Sequence, residues 1–430
     1  MTVEMLRVIA PGSTTTEGIV LDGNPVTIGR EGHVTGPLAR ADSEISRQHA
    51  IIARGPNGIW SVTDQSSRNG TFVDGARVET AALRDGSVIR AGRTLLVFAQ
   101  TRMRADERLA APADARLVGD SLAALRVHGE IALVARQPLP VLVLGETGVG
   151  KELVAEEIHR RSRRAGPFIA VNCAAIAPEL AESELFGHVA GAFTGARAAA
   201  DGLFVAAEGG TLFLDEVGEL PAELQPKLLR ALAQGEVRAV GSTTARRVDV
   251  RVVAATLRDL DAEVAAGRFR GDLFNRLAGW RIEIPSLRAR RDDIVAIASA
   301  FLRAANGPAL GPDAAEALLL HDWPGNVREL ERVIAAAVVR ATDARAAELG
   351  LAHLPPPLVE RLGTRVTAST APPLLVPSTS PPTRDELCHV LTRMDGNIAR
   401  VAEHFGKERQ QIYRWAKRLD IDLDAYRRES

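Results

Sequence analysis

The spacing of apolar residues divides the chain into regions of different fold. Over residues 1–100, short runs rich in Val and Ile alternate with turn-forming residues. Many short strands at even spacing are typical of a β-sandwich, and we predict an all-β domain there. From 141 to about 260, strand-like and helical patterns alternate, as a parallel α/β sheet requires. Helical patterns dominate after about 286, so the sequence predicts a multidomain protein with a helical subdomain behind its central sheet.

An apolar run at 141–144 leads into a glycine-rich turn and then a helical pattern. The turn has the spacing G-x-x-x-x-G-K, and its residues are Gly145, Glu146, Thr147, Gly148, Val149, Gly150, Lys151 and Glu152. Backbone N–H groups, the helix N-terminus and the charge of Lys151 would together bind the phosphates of a nucleotide. Glu152 stands where Ser or Thr would ligate Mg²⁺. Phosphates, waters and a carboxylate elsewhere would therefore hold that ion.

A second apolar run, at 210–214, ends in the carboxylates Asp215 and Glu216. Asp215 at the carboxyl end of a strand can bind Mg²⁺, partly through water. Glu216 can orient or deprotonate an attacking water molecule. The two carboxylates therefore predict nucleotide hydrolysis beside the glycine-rich turn.

Polar groups gather on three turns of the all-β region. Two guanidinium groups, a hydroxyl and an amide make a donor-rich site suited to an oxyanion. They belong to Arg30, Ser46, Arg47 and Asn69.

These turns resemble the forkhead-associated (FHA) domain, whose motifs appear here as Gly29-Arg30, Ser46-Arg47-Gln48-His49 and Asn69-Gly70. The resemblance implies binding of a phosphothreonine peptide. Arg30 and Ser46 would meet the phosphate, Arg47 would assist, and Asn69 would hold the peptide backbone. Gly29 and His49 are architectural in that family.

The segment at 191–196 places one large aromatic residue among very small ones. Its residues are Gly191, Ala192, Phe193, Thr194, Gly195 and Ala196. Such a loop cannot build a core, and its glycines suit a hinge. A tight buried turn is the alternative interpretation.

This loop, the glycine-rich turn, the acidic strand end and the string Trp323-Pro324-Gly325-Asn326-Val327-Arg328-Glu329-Leu330 resemble the central domain of the sigma-54-dependent transcriptional activators. These activators are AAA+ ATPases, and the resemblance runs from about 117 to 354. It implies ATP and Mg²⁺ as cofactors and a ring, commonly a hexamer, with ATP between neighbours. It also implies that the tip at Phe193 and Thr194 contacts sigma-54.

The resemblance also assigns further residues. Asn172 would couple to Glu216 and report the γ-phosphate, and Arg328 would reach the nucleotide from the lid. Arg270 and Arg276 match arginine fingers that are supplied to the adjacent subunit. One departure concerns the first sensor, where Leu257 replaces the usual Asn. Either Thr256 takes over that role or turnover is altered.

The C-terminal residues 383–430 read as a small helical unit after a Pro-rich stretch. Helix, Gly406 turn and helix have the helix-turn-helix shape, and the unit resembles the Fis-type module that ends these activators. Groups that can contact bases or phosphates of double-stranded DNA lie on its second helix: Lys407, Arg409, Gln410, Gln411, Tyr413, Arg414 and Lys417.

Composition restricts the partners. A net charge of -1 argues against bulk electrostatic binding of nucleic acid, so DNA contact must come from a local patch. The two cysteines lie far apart in the sequence, which fits a reducing cytoplasm, and the resemblance to the sigma-54-dependent activators implies a bacterial one. The sequence shows no signal-peptide pattern and no run of about 18 apolar residues, so it predicts no membrane segment.

The predicted organisation is an FHA domain at 1–100, a linker at 101–116, an AAA+ domain at 117–354 with its lid from about 286, a Pro-rich linker at 355–382, and a helix-turn-helix at 383–430. The predicted protein binds upstream DNA and senses a phosphothreonine on another protein or on its own chain. It uses ATP hydrolysis to remodel sigma-54 RNA polymerase closed complexes. The alternatives are an ATPase-weak DNA-binding regulator or scaffold whose AAA+ core only oligomerises, favoured by Leu257 and Glu152, and an AAA+ chaperone of other substrates.

Overall fold

The structure is a computed structural model. It describes residues 2–9, 17–32, 42–102, 109, 116–193 and 196–367, followed by 384, 387, 391, 401–402, 405, 409–419, 421 and 423. The chain divides into two compact units, Met1–Val366 and Thr367–Ser430.

The N-terminal part of the first unit is a β-sandwich, as predicted. Its strands are β1 (Thr2–Ile9), β2 (Glu17–Val20), β3 (Val26–Ile28), β4 (Ala50–Arg54), β5 (Trp60–Asp64), β6 (Thr71–Val73), β7 (Ala76–Val78), β8 (Thr80–Ala82), β9 (Ser87–Ala91) and β10 (Thr94–Arg102). They form an antiparallel six-stranded sheet, β2-β1-β10-β9-β6-β7, and a four-stranded sheet, β3-β4-β5-β8. Leu6, Trp60 and Phe98 are buried between the sheets.

The central strands of the six-stranded sheet are buried on both faces. Leu96 and Phe98 of β10 face the sandwich core, whereas the alternating residues Leu95 and Val97 belong to a core shared with helices near the end of this unit. Successive side chains of a strand point to opposite faces, so β10 has an apolar partner on each side. We call the second face, formed by Ile9, Val88, Leu95 and Val97, the lid-facing side.

A five-stranded parallel sheet follows, in the order β12-β15-β18-β11-β19. Its strands are β11 (Val141–Leu144), β12 (Phe168–Asn172), β15 (Thr211–Asp215), β18 (Arg251–Thr256) and β19 (Trp280–Glu283). Helices cover both faces, which leaves strands such as β18 buried along their whole length. These helices are α1 (Leu122–Val134), α2 (Lys151–Ser162), α3 (Pro178–Phe186), α4 (Leu203–Ala206), α5 (Gln225–Gln234), α6 (Leu260–Ala265) and α7 (Gly271–Leu277).

Two short hairpin-like pairs project from this sheet. They join β13 (Gly187–His188) with β14 (Ala200–Asp201), and β16 (Glu236–Val237) with β17 (Arg246–Arg247). The backbone N–H of Val189 donates to Val240 O at 3.1 Å, which ties the first pair to the second.

A helical lid completes the first unit. It contains a 3₁₀ segment (Leu287–Asp293), α8 (Ile294–Ala304), α9 (Pro312–Leu320), α10 (Asn326–Asp343), α11 (Pro356–Thr367) and the pair β20 (Ala309–Leu310) and β21 (Glu348–Leu349). Its core centres on the fully buried Trp323, whose indole N–H donates to Leu318 O at 2.9 Å.

The start of the predicted Pro-rich linker is wrong, because residues 356–367 form α11. Leu358 is buried in the lid core and Leu362 packs against it. Proline is tolerated in the first turn of a helix, where its missing N–H would have no intrahelical partner. The prolines at 355–357 therefore begin a helix, and residues 368–382 of the predicted linker lie outside the described residues.

The second unit has one continuous described helix, α12 (Arg409–Arg418). Its buried residues Ile412 and Trp415 pack with Leu387, Leu391 and Val401 in a small core. The turn at Gly406 and the side chain of Lys407 lie outside the described residues. Among the residues that the structure describes, no helix is long and apolar enough to cross a membrane.

Candidate functional site

The glycine-rich turn lies between β11 and α2, at the edge where the parallel strands end. Gly145, Gly148 and Gly150 have φ values of 156°, 78° and 104°, which L side chains rarely adopt. The mostly buried Lys151 places Nζ 3.1 Å from Gly145 O and 3.1 Å from Glu216 Oε1. The cation therefore sits inside the loop, as phosphate binding requires.

The lid closes directly on this loop. A Cβ on Gly148 would stand 2.4 Å from Gly325 O, so only glycine permits the contact. Asn326, the first residue of α10, donates from Nδ2 to Thr147 O at 3.0 Å and to Glu146 Oε2 at 3.1 Å. Asn326 is fully buried and went unassigned at the sequence level, although it belongs to the quoted Trp323–Leu330 string.

Asp215 and Glu216 meet the loop at the same sheet edge. Burial and the neighbouring Glu216 charge raise the pKa of Asp215, while Lys151 and Arg328 partly oppose that shift. Glu216 has a left-handed backbone with φ 50°. Its Oε1 accepts from Lys151 and its Oε2 accepts from the backbone N–H of Leu257 at 3.1 Å.

A cleft of about 570 Å³ joins these groups and is also lined by Asn172, Leu257 and Arg328. Asn172 Oδ1 accepts from Ala174 N at 2.9 Å, while the Glu216 carboxylate contacts Lys151 and Leu257 instead. The cleft thus brings together the predicted nucleotide-binding and carboxylate residues in one chain.

The predicted first-sensor position holds Leu257, whose side chain cannot hydrogen-bond. Leu257 is 57% exposed and lines the cleft. Thr256 is buried, and its Oγ1 accepts from Arg258 N at 3.0 Å. Thr256 does not line the cleft, in contrast to Leu257.

The donor set fits a nucleoside triphosphate. The cleft volume lies within the range of roughly 300–1,000 Å³ that is usual for ligand sites. Loop N–H groups, Lys151 and Arg328 supply positive charge, and Asp215 supplies a carboxylate suited to a hydrated Mg²⁺.

The predicted arginine fingers do not line this cleft. Arg270 is half-exposed and makes a two-pronged ion pair with Asp272, at 2.7 and 3.0 Å. This pair raises the pKa of Arg270 and lowers the pKa of Asp272. Arg276 donates from Nε and Nη2 to Leu232 O. Both arginines are exposed on the protein surface, and they belong to the same short stretch of sequence.

The glycine-bracketed loop extends from β13. Phe193 is 39% exposed, and its ring meets the His188 ring edge-on at 5.1 Å between centroids. Both His188 nitrogens have partners, Ser183 Oγ and Ala198 O. Gly191 has open space around it, so the described start of the loop is exposed and not buried. Thr194 and Gly195 lie outside the described residues, and the flanking Gly191 N–H donates to Ala196 O.

The polar turns of the sandwich lie close together. Ser46 Oγ accepts from Arg68 N at 3.1 Å, and Asn69 Nδ2 donates to Glu44 O at 2.6 Å. Arg30 and Arg47 are exposed beside them. A Cβ on Gly29 would stand 2.2 Å from Arg47 O, so glycine permits the close approach of these turns.

His49 links two of these turns by hydrogen bonds. It is fully buried, accepts from Ser46 N at Nδ1, and donates from Nε2 to Gly70 O. Burial lowers the pKa of His49, which keeps the ring neutral.

The described part of the predicted DNA-binding helix presents a polar face. Arg409, Gln410, Tyr413, Arg414 and Lys417 are exposed on α12 at helical spacing, and Gln411 is half-buried. Ile412 and Trp415 face the core on the opposite side.

A helical lid that closes on a phosphate loop, beside a parallel five-stranded sheet, is the architecture of the AAA+ ATPase class. Residues 117–283 match the Sigma-54 interaction domain, residues 288–371 the AAA+ ATPase lid domain, and residues 26–92 the FHA domain.

Similar proteins of known function are consistent with these family matches. The nitric oxide reductase transcription regulator NorR2 of Cupriavidus necator is 44% identical over 75% of this chain and 67% of its own length. The regulatory protein LuxO of Vibrio cholerae is 43% identical over 71% of this chain and 62% of its own. The crystal structure of NtrX from Brucella abortus with ATP is 32% identical, with a TM-score of 0.53, over 71% of this chain and 70% of that one. The chain belongs to the family of sigma-54-dependent transcription regulators and carries an FHA domain.

Proposed function

We propose that this protein activates transcription by sigma-54 RNA polymerase through ATP hydrolysis, under the control of a phosphothreonine signal. The observation that carries the proposal is the joint placement of Lys151, Asp215 and Glu216 at one sheet edge, with Phe193 exposed on a loop of the same domain. The family membership and the named transcription regulators among the relatives support it.

The residues of the cleft divide the work. Lys151 and the loop N–H groups bind the outer phosphates, and Arg328 approaches them from the lid. The Glu216 carboxylate orients the attacking water once that carboxylate has released its hydrogen bonds from Lys151 and the Leu257 N–H. Mg²⁺ at Asp215 would neutralise charge on the phosphates.

The proposed active form is a hexameric ring. Arg270 and Arg276 are exposed, and each would reach the cleft of a neighbouring subunit after leaving Asp272 or Leu232 O. An arginine supplied in this way contributes about 10³–10⁵ in rate in other phosphoryl-transfer enzymes.

The proposed phosphopeptide-binding and DNA-binding sites lie outside the ATPase domain. Arg30, Ser46, Arg47 and Asn69 would bind the phosphothreonine peptide, since exposed guanidinium groups beside a hydroxyl and an amide match a phosphate. The exposed face of α12 would contact upstream double-stranded DNA, together with Lys407.

Conversion of sigma-54 RNA polymerase closed complexes to open complexes tests the proposal. Lys151→Ala should lose both ATP hydrolysis and open-complex formation. Phe193→Ala should retain hydrolysis and lose open-complex formation. Leu180→Ala, which removes another exposed apolar side chain, is the matched control and should retain both. Normal open-complex formation by Phe193→Ala protein would contradict the proposal.

One observation favours a second candidate, a DNA-binding regulator whose AAA+ core oligomerises but hydrolyses little ATP. The exposed Leu257 side chain offers no hydrogen bond where a γ-phosphate sensor is expected, and Thr256 is engaged elsewhere. Steady-state phosphate release by the purified full chain separates the two candidates, because the second releases little or no phosphate.

A further inference from the structure

The sandwich and the lid share one hydrophobic core. Ile9, Val88, Leu95 and Val97 of the lid-facing side are each at most 1% exposed and cluster with the lid residues around Trp323. A sheet face this completely covered is part of a folded core rather than a loosely tethered surface.

Charged groups surround this apolar contact. Arg90 of β9 lies 2.7 Å from Asp313 Oδ1 and 2.8 Å from Glu316 Oε2, both on α9. The Glu316 side chain is 4% exposed. At the other end of the contact, Arg7 of β1 lies 3.4 Å from Asp292 Oδ2.

The buried pair depends on both domains. Burial raises the pKa of Glu316, and Arg90 opposes this shift by a hydrogen bond and by its charge. A buried carboxylate without its cation is costly, so the lid and the sandwich satisfy each other's charges.

The lid-facing side connects to the phosphate loop through a short path. Four residues after Glu316, α9 ends, and the turn around the buried Trp323 leads to Gly325 and Asn326. These last two residues contact the phosphate loop at Gly148 and Thr147. A shift of α9 would therefore be felt where the lid meets the nucleotide.

The lid-facing side also connects to the peptide-binding turns. Asp42 Oδ2 accepts from Arg93 N at 2.7 Å and from Thr94 Oγ1 at 2.9 Å, while Asp42 Oδ1 accepts from Glu44 N. The Arg93 guanidinium lies between Glu44 Oε1 at 4.0 Å and Glu348 Oε2 of the lid at 3.5 Å. Asn69 holds the same Glu44 residue by its carbonyl.

We propose that the lid-facing side of the sandwich is a docking surface for the lid of the same subunit, and that docking holds the lid closed on the phosphate loop. Occupation of the peptide-binding turns changes nucleotide affinity through Glu44, Arg93 and Glu348. The second statement rests on the proposed phosphothreonine recognition, whereas the first does not.

A charge-swap series in the full chain tests docking. The variants are Arg90→Glu, Glu316→Arg and the two combined, with Arg303→Glu as control. Arg303 is an exposed lid residue whose Nε lies 3.4 Å from Ser299 O of its own helix. Binding of a fluorescent ADP analogue gives the affinity, and hydrogen exchange over residues 312–320 reports docking.

Each single reversal should weaken ADP binding about fivefold or more, the lower end of usual coupling between sites, and should speed exchange in α9. The combined variant should recover most of both effects, and Arg303→Glu should change neither. Wild-type ADP affinity and exchange in folded Arg90→Glu protein overturn docking. Should either single variant fail to fold, the combined variant decides, because failure of the swap to recover both readouts also overturns docking.

A pool of degenerate phosphothreonine peptides, with the unphosphorylated pool as control, tests the second statement. The phosphorylated pool should change ADP affinity in wild-type protein and leave it unchanged in Arg93→Glu. Retention of the pool is measured in the same samples. Retention without any change in ADP affinity overturns the link from Glu44 to the lid. Absence of retention overturns phosphothreonine recognition, and with it the second statement, while the charge-swap series still decides docking.

Discussion

Replacement of Leu257 by Asn should accelerate ATP hydrolysis. Leu257 follows β18, lines the cleft and is 57% exposed, so the substitution removes little core packing. Its backbone N–H, which donates to Glu216, is unchanged by the substitution. A surface change of this kind alters the free energy of unfolding by about 0.5 kcal/mol or less.

The size of the effect follows from the hydrogen bond that Asn can add. A hydrogen bond to a charged group contributes about 1.5–3 kcal/mol, which corresponds to roughly 10- to 150-fold in rate if it forms wholly in the transition state. Part of it would already form with bound ATP and would not raise kcat. We therefore expect an increase in kcat of about tenfold, at the lower end of this range.

Phosphate release at saturating ATP by the purified full chain measures the effect. Leu257→Ala is the matched control, because it removes the leucine side chain without adding a donor or acceptor. Leu257→Asn combined with Glu216→Gln should be inactive, which shows that the added turnover uses the same carboxylate. Equal rates for Leu257→Asn and Leu257→Ala would refute the reasoning, since the leucine would then not occupy a γ-phosphate-sensing position.

The remaining predictions concern three other parts of the chain. Glu216→Gln should retain ATP binding and lose hydrolysis, because the amide cannot act as a base, whereas Lys151→Ala should lose binding itself; equilibrium binding and phosphate release separate the two, and hydrolysis by Glu216→Gln would contradict the assignment. Because burial lowers the pKa of His49 below its unfolded value of about 6.5, the stability that neutral His49 contributes is present above that pH and is lost as the pH falls through the folded-state value. The midpoint temperature of thermal unfolding should therefore fall less between pH 7.5 and 5.5 for His49→Asn than for wild-type protein. Equal falls in the two proteins would contradict the lowered pKa of His49. Arg414→Ala should weaken DNA binding and reduce the slope of log affinity against log salt by about 1 if Arg414 contacts a phosphate; an unchanged slope in fluorescence anisotropy would remove Arg414 from the interface.

Motifs with a local cause could be predicted from the sequence. The phosphate loop needs glycines at fixed positions before Lys151, and the apolar run before Asp215 predicts a buried strand. Because the carboxyl ends of parallel strands share one edge, topology then brings the two motifs together.

Contacts between distant segments could not be predicted in the same way. The run Thr94-Leu95-Leu96-Val97-Phe98 lacks the alternation of apolar and polar residues that is typical of a strand with one solvent-exposed face. This lack is the one sign in the sequence that both faces of the strand are buried. Nothing in that run names α9 as the cover. Likewise, the prolines before Leu358 suggested a linker, because composition does not reveal that an apolar stripe will dock on the lid.

The shared core also has a consequence for biosynthesis. Glu316 follows Arg90 by 226 residues in the chain. At about 5–20 residues per second, a ribosome would release the sandwich roughly 10–45 s before the helix that covers it. During that interval Ile9, Val88, Leu95 and Val97 face solvent on a nascent chain, where exposed apolar strands invite aggregation. Production of this protein should therefore depend on holding chaperones more than production of a free-standing FHA domain does.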